Sequence, residues 1–392
     1  RPRGVRVGSG DRCGPSGRRG AGCGRRHIRA LLCSEQPHMT VCSVSATRRM
    51  TVCDLPAGLG PAVEEWVEDL GETTRSGKGV RSALFEAVYS AAGGDDPVLR
   101  AATGQALELL HEAFLVHDDL ADGDDHRRGA LNLQGRTRAR VASRGAPPRT
   151  ARQVGMVGGL LGGDVLLVSA MSGFARLPVP APLLGRVLDE VERAVTASIA
   201  GEYADVHDST DPRPPTRERA LAIGEAKTAA YTVILPVVLG AILAGADEET
   251  VECLREAGAR LGTAYQVIDD LLGVFGDPAV TGKSNSNDLI RRAPTLLLAF
   301  AATTDAWPAI DAALGDPGED PSADGRTWYD GSGPDPDTAR ELLRRCGARE
   351  HALQAAQDLV AAARSALDRP TVPPAVRAAL VPHLDTALER TR

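Results

Sequence analysis

The chain has 392 residues and a net charge of −7, with 43% hydrophobic but only 3% aromatic residues. It is long enough for one large domain or two smaller ones, and its Ala-, Leu-, Val- and Gly-rich composition favours closely packed helices over an aromatic-rich β sandwich. Residues 1–50 hold eleven arginines against Asp11 and Glu35, so that segment stands at +9 and the remainder at −16. A folded part this acidic argues against nucleic-acid binding.

Residues 1–54 read as a disordered Arg/Gly-rich leader, either transit-like or translated from upstream of a start at Met39 or Met50. Five of the seven cysteines lie in the first 53 residues, nine to eleven apart, with no pair at zinc-finger spacing. Cys253 and Cys346 are expected as thiols of a reducing cytoplasm. From about residue 55 onward helical patterns alternate with short Gly/Pro punctuation. The predicted helices cover 60–71, 78–93, 97–122, 150–175, 182–208, 215–230, 232–244, 248–275, 286–303, 337–347, 349–368 and 374–390. The class is therefore all-α, with residues 55–392 as one domain. The apolar stretches 155–174 and 231–244 read as core helices, because the first carries Asp164 and several glycines and the second is short and contains Pro236. Residues 315–337, rich in Asp, Gly, Pro and Ser, are expected to form a disordered acidic loop.

The chemistry concentrates in residues 117–129, His-Asp-Asp-Leu-Ala-Asp-Gly-Asp-Asp-His-Arg-Arg-Gly. On a helix continuing from Leu107–Val116, Asp118 and Asp122 stand one turn apart on one face, and Asp119 lies about 100° around. Carboxylates so crowded repel one another, and a bound cation relieves that repulsion. All-oxygen donors with room for water and phosphate suit Mg²⁺, while Arg127 and Arg128 offer forks matched to phosphate oxygens. A second adjacent pair, Asp269–Asp270, again ends an apolar helix, with Gly273 one turn beyond Asp269. Among 45 basic residues only Lys78, Lys227 and Lys283 are lysines, and each lies beside a motif. Gly77-Lys78-Gly79 lacks the frame of a P-loop.

Taken together, these motifs resemble those of the trans-isoprenyl diphosphate synthases in the polyprenyl synthetase family, of the geranylgeranyl or farnesyl diphosphate synthase type. Asp118-Asp119-Leu120-Ala121-Asp122 with Arg127-Arg128-Gly129 resembles the first aspartate-rich motif of that family, and Asp269–Asp270 the second. Gly77-Lys78 with Arg81, and His111, resemble the residues that grip isopentenyl diphosphate. The resemblance implies a bundle of about ten to thirteen helices around a central cavity, active as a homodimer in the cytoplasm with no integral membrane association. It implies that Asp118 and Asp122 hold two Mg²⁺ ions and Asp269 a third, with Asp119 and Asp270 in support. Arg127, Lys227 and Lys283 would contact the allylic diphosphate (dimethylallyl, geranyl or farnesyl). Lys78, Arg81, His111 and Arg128 would hold isopentenyl diphosphate. Thr228 and Gln266 would flank the allylic cation.

In the family, bulk four and five positions before the first aspartate limits chain growth. Here those positions are Phe114 and Ala113, one large and one small, which points to a C15–C20 product with geranylgeranyl diphosphate favoured. Three departures from the family pattern stand out. Gly273 occupies the place of a third aspartate, Gly79 and Ser82 replace Arg and Pro around Lys78, and Ala293-Pro294 replaces a Lys-Arg pair, with Arg291 or Arg292 as a substitute cation. Two further readings carry the same fold: a regulatory subunit of a heteromeric synthase, and a terpene cyclase. The cyclase reading lacks the Asn-Asp-x₂-Ser-x₃-Glu metal motif.

Overall fold

A computed structural model describes residues 59–73, 79–127, 129–277, 285–315 and 334–389. The expected leader and most of the expected 315–337 loop lie outside the described residues, as do Lys78, Arg128 and Lys283. The described chain is all-α apart from one two-residue ribbon. Its helices are α1 (Pro61–Thr73), α2 (Val80–Ala91), α3 (Pro97–Ala121), α4 (Leu133–Ser143), α5 (Pro148–Ala175), α6 (Ala181–Asp208) and α7 (Arg217–Gly224). A π-helical segment (Glu225–Ile234) then runs straight into α8 (Leu235–Leu243). After it come α9 (Glu248–Phe275), α10 (Asn287–Ile290), α11 (Leu296–Ala301), α12 (Trp307–Leu314), α13 (Pro336–Arg345), α14 (Ala348–Leu367) and α15 (Pro374–Glu389).

Helix starts follow the chemistry of their caps. The Asp96 carboxylate accepts from the Val98 and Leu99 amides ahead of α3, with Pro97 in the first turn. Asn132 caps α4 and Asp247 caps α9 in the same way. The packing is pairwise: α3 lies against α5, α9 against α14, and the π segment between α6 and α9. The largest apolar cluster includes Phe85, Leu107, Leu110, Phe174, Leu239 and Leu254. A second cluster joins the C-terminal half of α9 to α11–α14. Glycines set how closely the helices approach. A Cβ on Gly162 of α5 would lie 2.3 Å from Leu133 Cδ2, and one on Gly163 would lie 2.2 Å from His117 Nε2.

Several expectations need correction. The predicted helix 286–303 is two short helices, because Arg292 adopts a left-handed φ of 53° and Pro294 follows it; Thr295 then caps α11. The expected break at 231 is absent. Residues 217–243 run on as one helix whose wide π turn ends just before Pro236, a residue whose ring a regular turn accommodates poorly. The loop expected to 337 ends earlier, since Asp335 caps α13 by accepting from the Thr338 amide. Helix α4, helix α12 and the antiparallel ribbon pairing His126 with Leu131 and Arg127 with Ala130 were not foreseen.

The two apolar stretches also differ from each other. Both Pro148–Ala175 and Arg217–Leu243 are long and apolar enough to cross a membrane; the second is mostly buried as expected. Helix α5, expected in the core, is buried on one face only. Its Val154, Val157, Leu161 and Val168, at helical spacing, are exposed, as are Met156 and Leu160.

Gly201 marks the tightest contact between α6 and the π segment, where an added Cβ would lie 2.3 Å from the Lys227 backbone nitrogen and 2.7 Å from its Cα. Backbone cannot swing aside as a side chain can. Gly201→Ala is therefore expected to cost about 1–3 kcal/mol, read as a lower denaturant midpoint at unchanged slope.

Candidate active site

The C-terminal turn of α3 presents Asp118, Asp119 and the C-cap residue Asp122. Beyond it the ribbon folds back and returns Arg127 over the helix end. The Arg127 Nη2 donates to Asp118 Oδ2 at 2.7 Å, and its Nε donates to Asp119 Oδ1 at 2.7 Å. Burial alone would lower the Arg127 pKa, but the bonds to Asp119 and the charge of Asp118 raise it, so the guanidinium stays charged. Asp119 is buried beneath this pair. Asp124 and Asp125 turn elsewhere: Asp124 accepts from Asn287 Nδ2 at 3.1 Å and Asp125 pairs with Arg138.

Facing Asp118 is a cluster that sequence reasoning missed. Glu202 and Asp205 project from α6 one turn apart, next to Gly201. Lys227, on the π segment that Gly201 admits so closely, reaches Asp205 Oδ2 at 2.8 Å, Glu202 Oε2 at 3.0 Å and Asp118 Oδ1 at 3.5 Å. These three carboxylates raise the Lys227 pKa against the opposing effect of burial. Oxygens of Asp118, Asp122 and Glu202 lie within 4.8 Å of one another, close enough to share one ion. Glu202 Oε1 is buried without a hydrogen-bond partner. Burial raises the Glu202 pKa and Lys227 opposes that rise in part. Hard oxygen donors and an unsatisfied buried carboxylate oxygen fit a divalent cation such as Mg²⁺. The available signal was Gly201-Glu202-Tyr203-Ala204-Asp205, two acids at i, i+3 on a helix flanked by a small residue.

The second wall is α9 and the segment after it. Thr228 Oγ1 donates to Gln266 Oε1, and Gln266 Nε2 donates to Asp270 Oδ1 at 2.6 Å, linking the π segment to the second aspartate pair. Asp269 is exposed within the last two turns of α9 and does not belong to the Asp118–Asp122–Glu202 group. Burial first, then the charge of Asp288, pushes the Asp270 carboxyl well above its ordinary value. Gly273 proves informative: a Cβ there would lie 2.1 Å from Asp288 Oδ2. The space a side chain at 273 would enter is thus filled by a carboxylate from α10, a residue that sequence reasoning passed over. Of the two candidate substitute cations, Arg291 enters the cavity. It pairs with Asp122 Oδ1 and lies 3.7 Å from Asp205 Oδ2. Arg292 does not, because its buried guanidinium binds Asp311 and the Gly315 carbonyl.

The third group surrounds Tyr231, also missed from the sequence. Arg81 Nη2 donates to Thr232 Oγ1 at 3.0 Å, and its guanidinium stands 5.0 Å from the Tyr231 ring centre. Phe114 packs on the same ring at 4.7 Å and the buried His111 stacks at 6.1 Å. Ala113 lies elsewhere, fully buried with Leu70, Val116, Leu133 and Leu166. The departures around Lys78 have a local logic. Gly79 adopts φ 65° before α2, a conformation that favours glycine. The Ser82 amide and hydroxyl both donate to Glu108 Oε1 at 2.9 Å, and a proline could supply neither donor.

The polyprenyl synthetase family model matches residues 64–322, which span the first wall, Glu202, the π segment and the second wall. The chain belongs to the polyprenyl synthetase family. It is 33% identical over 242 residues to a geranylgeranyl diphosphate synthase of Mycobacterium tuberculosis, covering 61% of this chain and 62% of that one. It is also 29% identical over 287 residues to a geranylfarnesyl diphosphate synthase of Natronomonas pharaonis, covering 73% and 74%. The chain thus spans about six-tenths of the mycobacterial relative's length. In structure it resembles the geranylgeranyl pyrophosphate synthase of Corynebacterium glutamicum, solved in complex with isoprenyl diphosphate and magnesium. The TM-score is 0.74 at 29% identity, over 85% of this chain and 93% of that one.

The raised pKa of Asp270 has a consequence for stability. Between the unfolded carboxyl value, near 3.8, and the folded one, the folded chain binds the extra proton, so its stability falls as pH rises through that window. In metal-free buffer Asp270→Asn, which keeps the acceptor for Gln266, is expected to be more stable than the parent at neutral pH. The advantage should vanish near pH 4. Denaturant unfolding of both proteins across pH checks it.

Proposed function

We propose that this protein is a Mg²⁺-dependent trans-prenyltransferase that condenses isopentenyl diphosphate with an allylic diphosphate to a C15–C20 prenyl diphosphate, geranylgeranyl diphosphate favoured. The observation that carries this reading is the grouping of Asp118, Asp122 and Glu202 with Lys227 and Arg127, with Asp270 tied to the same π segment through Gln266 and Thr228. The names of the family relatives support a synthase over a cyclase or a regulatory subunit.

In this reading Asp118, Asp122 and Glu202 on one wall and Asp269 on the other would hold three Mg²⁺ ions, with Asp119 and Asp270 behind them. Bound Mg²⁺ supplies Lewis-acid neutralisation of the diphosphate. Lys227 and Arg127, fixed by carboxylates and permanently charged, add positive potential where the leaving group gains negative charge. The allylic C–O bond breaks, the C4 alkene carbon of isopentenyl diphosphate forms the new C–C bond, and the proton lost from C2 goes to the released diphosphate. Thr228 and Gln266 hold each other and present oxygen dipoles to the allylic cation without attacking it. Arg81 and His111, braced by Tyr231, bind the second diphosphate together with Lys78 and Arg128, and Lys283 joins the first. Phe114 against Tyr231 closes the pocket below Asp118 and sets product length, while Ala113, buried with Leu70 and Leu133, takes no part.

The exposed apolar stripe of α5, with Ile199 and Tyr203 of α6 also exposed, is proposed as the contact with a second copy in a homodimer. A cytoplasmic, non-membrane setting suits this assembly and the free thiols of Cys253 and Cys346. The acidic charge outside residues 1–50 speaks against nucleic acid as a partner.

One product assay tests the chemistry. With isopentenyl diphosphate and each allylic primer in turn, the chain should elongate the primer and stop at C15–C20. Asp118→Ala and Asp269→Ala should each lower turnover by about 10²-fold or more with unchanged circular dichroism, and Phe114→Ala should shift products to longer chains. Full activity in both aspartate variants would sink the metal assignment. For assembly, sedimentation should give a dimer that Leu161→Glu weakens by at least about tenfold in dissociation constant; a monomeric parent chain would contradict the interface.

A further inference from the structure

Arg291 is the unusual cation of the cavity. It follows α10, on the wall opposite Asp122, and its backbone is pinned on both sides. The Arg291 amide donates to the Asn287 carbonyl at 2.9 Å, and the Ala293 amide donates to the Asp288 carbonyl at 2.9 Å. Arg292 beside it is clamped by Asp311 and Gly315. The anchor is rigid, so the long Arg291 side chain is the adjustable part. Its partners are Asp122 and, at 3.7 Å, Asp205.

Those partners are also wanted by others. Asp205 already accepts from Lys227 at 2.8 Å. Asp122 shares its 4.8 Å cluster with Asp118 and Glu202, so an ion held there competes with Arg291 for the same carboxylate. Arg127 is placed differently, since it rests on Asp118 and Asp119 and does not depend on Asp122. A guanidinium with only 23% of its side chain exposed is costly to leave unpaired. If a divalent ion draws Asp122 away, the planar fork needs another anion; Asp205, at 3.7 Å, is already engaged by Lys227, and a diphosphate oxygen matches the fork. Ala293 and Pro294 offer no cation in the following turn, and of the two arginines there Arg291 pairs with the acidic cluster while Arg292 is held by Asp311 and Gly315.

We propose that Arg291 is an exchangeable counter-ion, holding Asp122 in the metal-free chain and passing to the diphosphate of the allylic substrate once Mg²⁺ engages that carboxylate. This rests on the function proposed above. Loss of the side chain should therefore have opposite effects on two ligands. With no diphosphate present, Arg291→Gln should bind Mn²⁺ (followed by its free-ion paramagnetic resonance) about 3–10-fold more tightly than the parent, because a competitor is gone. With saturating Mg²⁺, the same variant should bind inorganic pyrophosphate about 10–100-fold more weakly by calorimetry, the loss of a charge-assisted hydrogen bond. Arg291→Lys, which keeps the charge without the fork, should fall between on both. The KM for the allylic diphosphate should rise in Arg291→Gln while that for isopentenyl diphosphate stays constant.

Weaker binding of both Mn²⁺ and pyrophosphate in Arg291→Gln and Arg291→Lys alike would make Arg291 a structural residue and overturn the exchange. Unchanged binding of both ligands would overturn it too. Failure of the parent chain itself to bind Mn²⁺ and pyrophosphate would overturn the underlying reading of the site, whereas binding that Asp118→Ala abolishes and Arg291→Gln leaves untouched would remove the Arg291 assignment alone.

Discussion

Crowding of carboxylates around one cavity is the constraint on which the rest of this structure depends. Asp118, Asp119, Asp122, Glu202, Asp205, Asp269, Asp270 and Asp288 come from four separate elements, and among the described residues Arg127, Lys227 and Arg291 are the cations paired with the first five. Burial first, and then neighbouring anions, raise the proton affinity of such carboxylates, as Glu202 and Asp270 register. The chain tolerates that cost because each cation is shared. Lys227 serves three carboxylates and Arg127 two, so each charge is offset by geometry that also aims it at a common point.

Holding that point needs close helix packing. Gly201 brings α6 onto the Lys227 backbone, and Gly262 brings α9 onto Ala229, where an added Cβ would lie 2.4 Å from the Ala229 Cβ. Between them the π segment widens the helical turn and presents Lys227, Thr228 and Tyr231 to three different partners: the acidic cluster, Gln266, and the Arg81–Phe114–His111 group. π turns recur at functional sites because the widened ladder redirects side chains that a regular helix would hold in line. Pro236, just beyond, suits a helix whose preceding turn is already irregular.

The departures from the family pattern turn out to be local exchanges. Asp288 fills the space over Gly273, Arg291 supplies a cation before the Ala293-Pro294 turn, and Glu108 takes up the donors of Ser82. Asp288 and Arg291 thus bring a carboxylate and a cation to the places where Gly273 and Ala293-Pro294 supply none, while Glu108 satisfies the donors that Ser82 adds. Helix α5 shows the same economy of contact. Its glycine face meets α3 and α4 tightly, and its opposite face stays apolar and exposed in a single chain.

Much of this was legible in the chain itself. Amphipathic periodicity and capping residues such as Asp96 and Asp247 mark long helices within a few residues of where they occur, because those signals are local. The pairing of acid with apolar stripe at 118–122 and 269–270 is local too, and it identified both walls. Helix α4 escaped because its sequence, with arginines at 136, 138 and 140, has no continuous apolar stripe, and the break at 292 escaped because an arginine at positive φ has no sequence signature. Asp288 and Tyr231 carry no such signal, Glu202 carried one that was passed over, and for Arg291 the sequence left the choice with Arg292 open. Each acts through neighbours distant along the chain: Glu202 through Lys227, Asp288 over Gly273, Tyr231 beside Arg81 and Phe114, and Arg291 on Asp122. Sequence alone determined which charged and polar groups the protein carries beside its helical motifs. Which of them share one cavity was decided by the packing of α3, α6, α9 and the π segment, since a carboxylate or guanidinium acts only on what lies within a few ångströms of it.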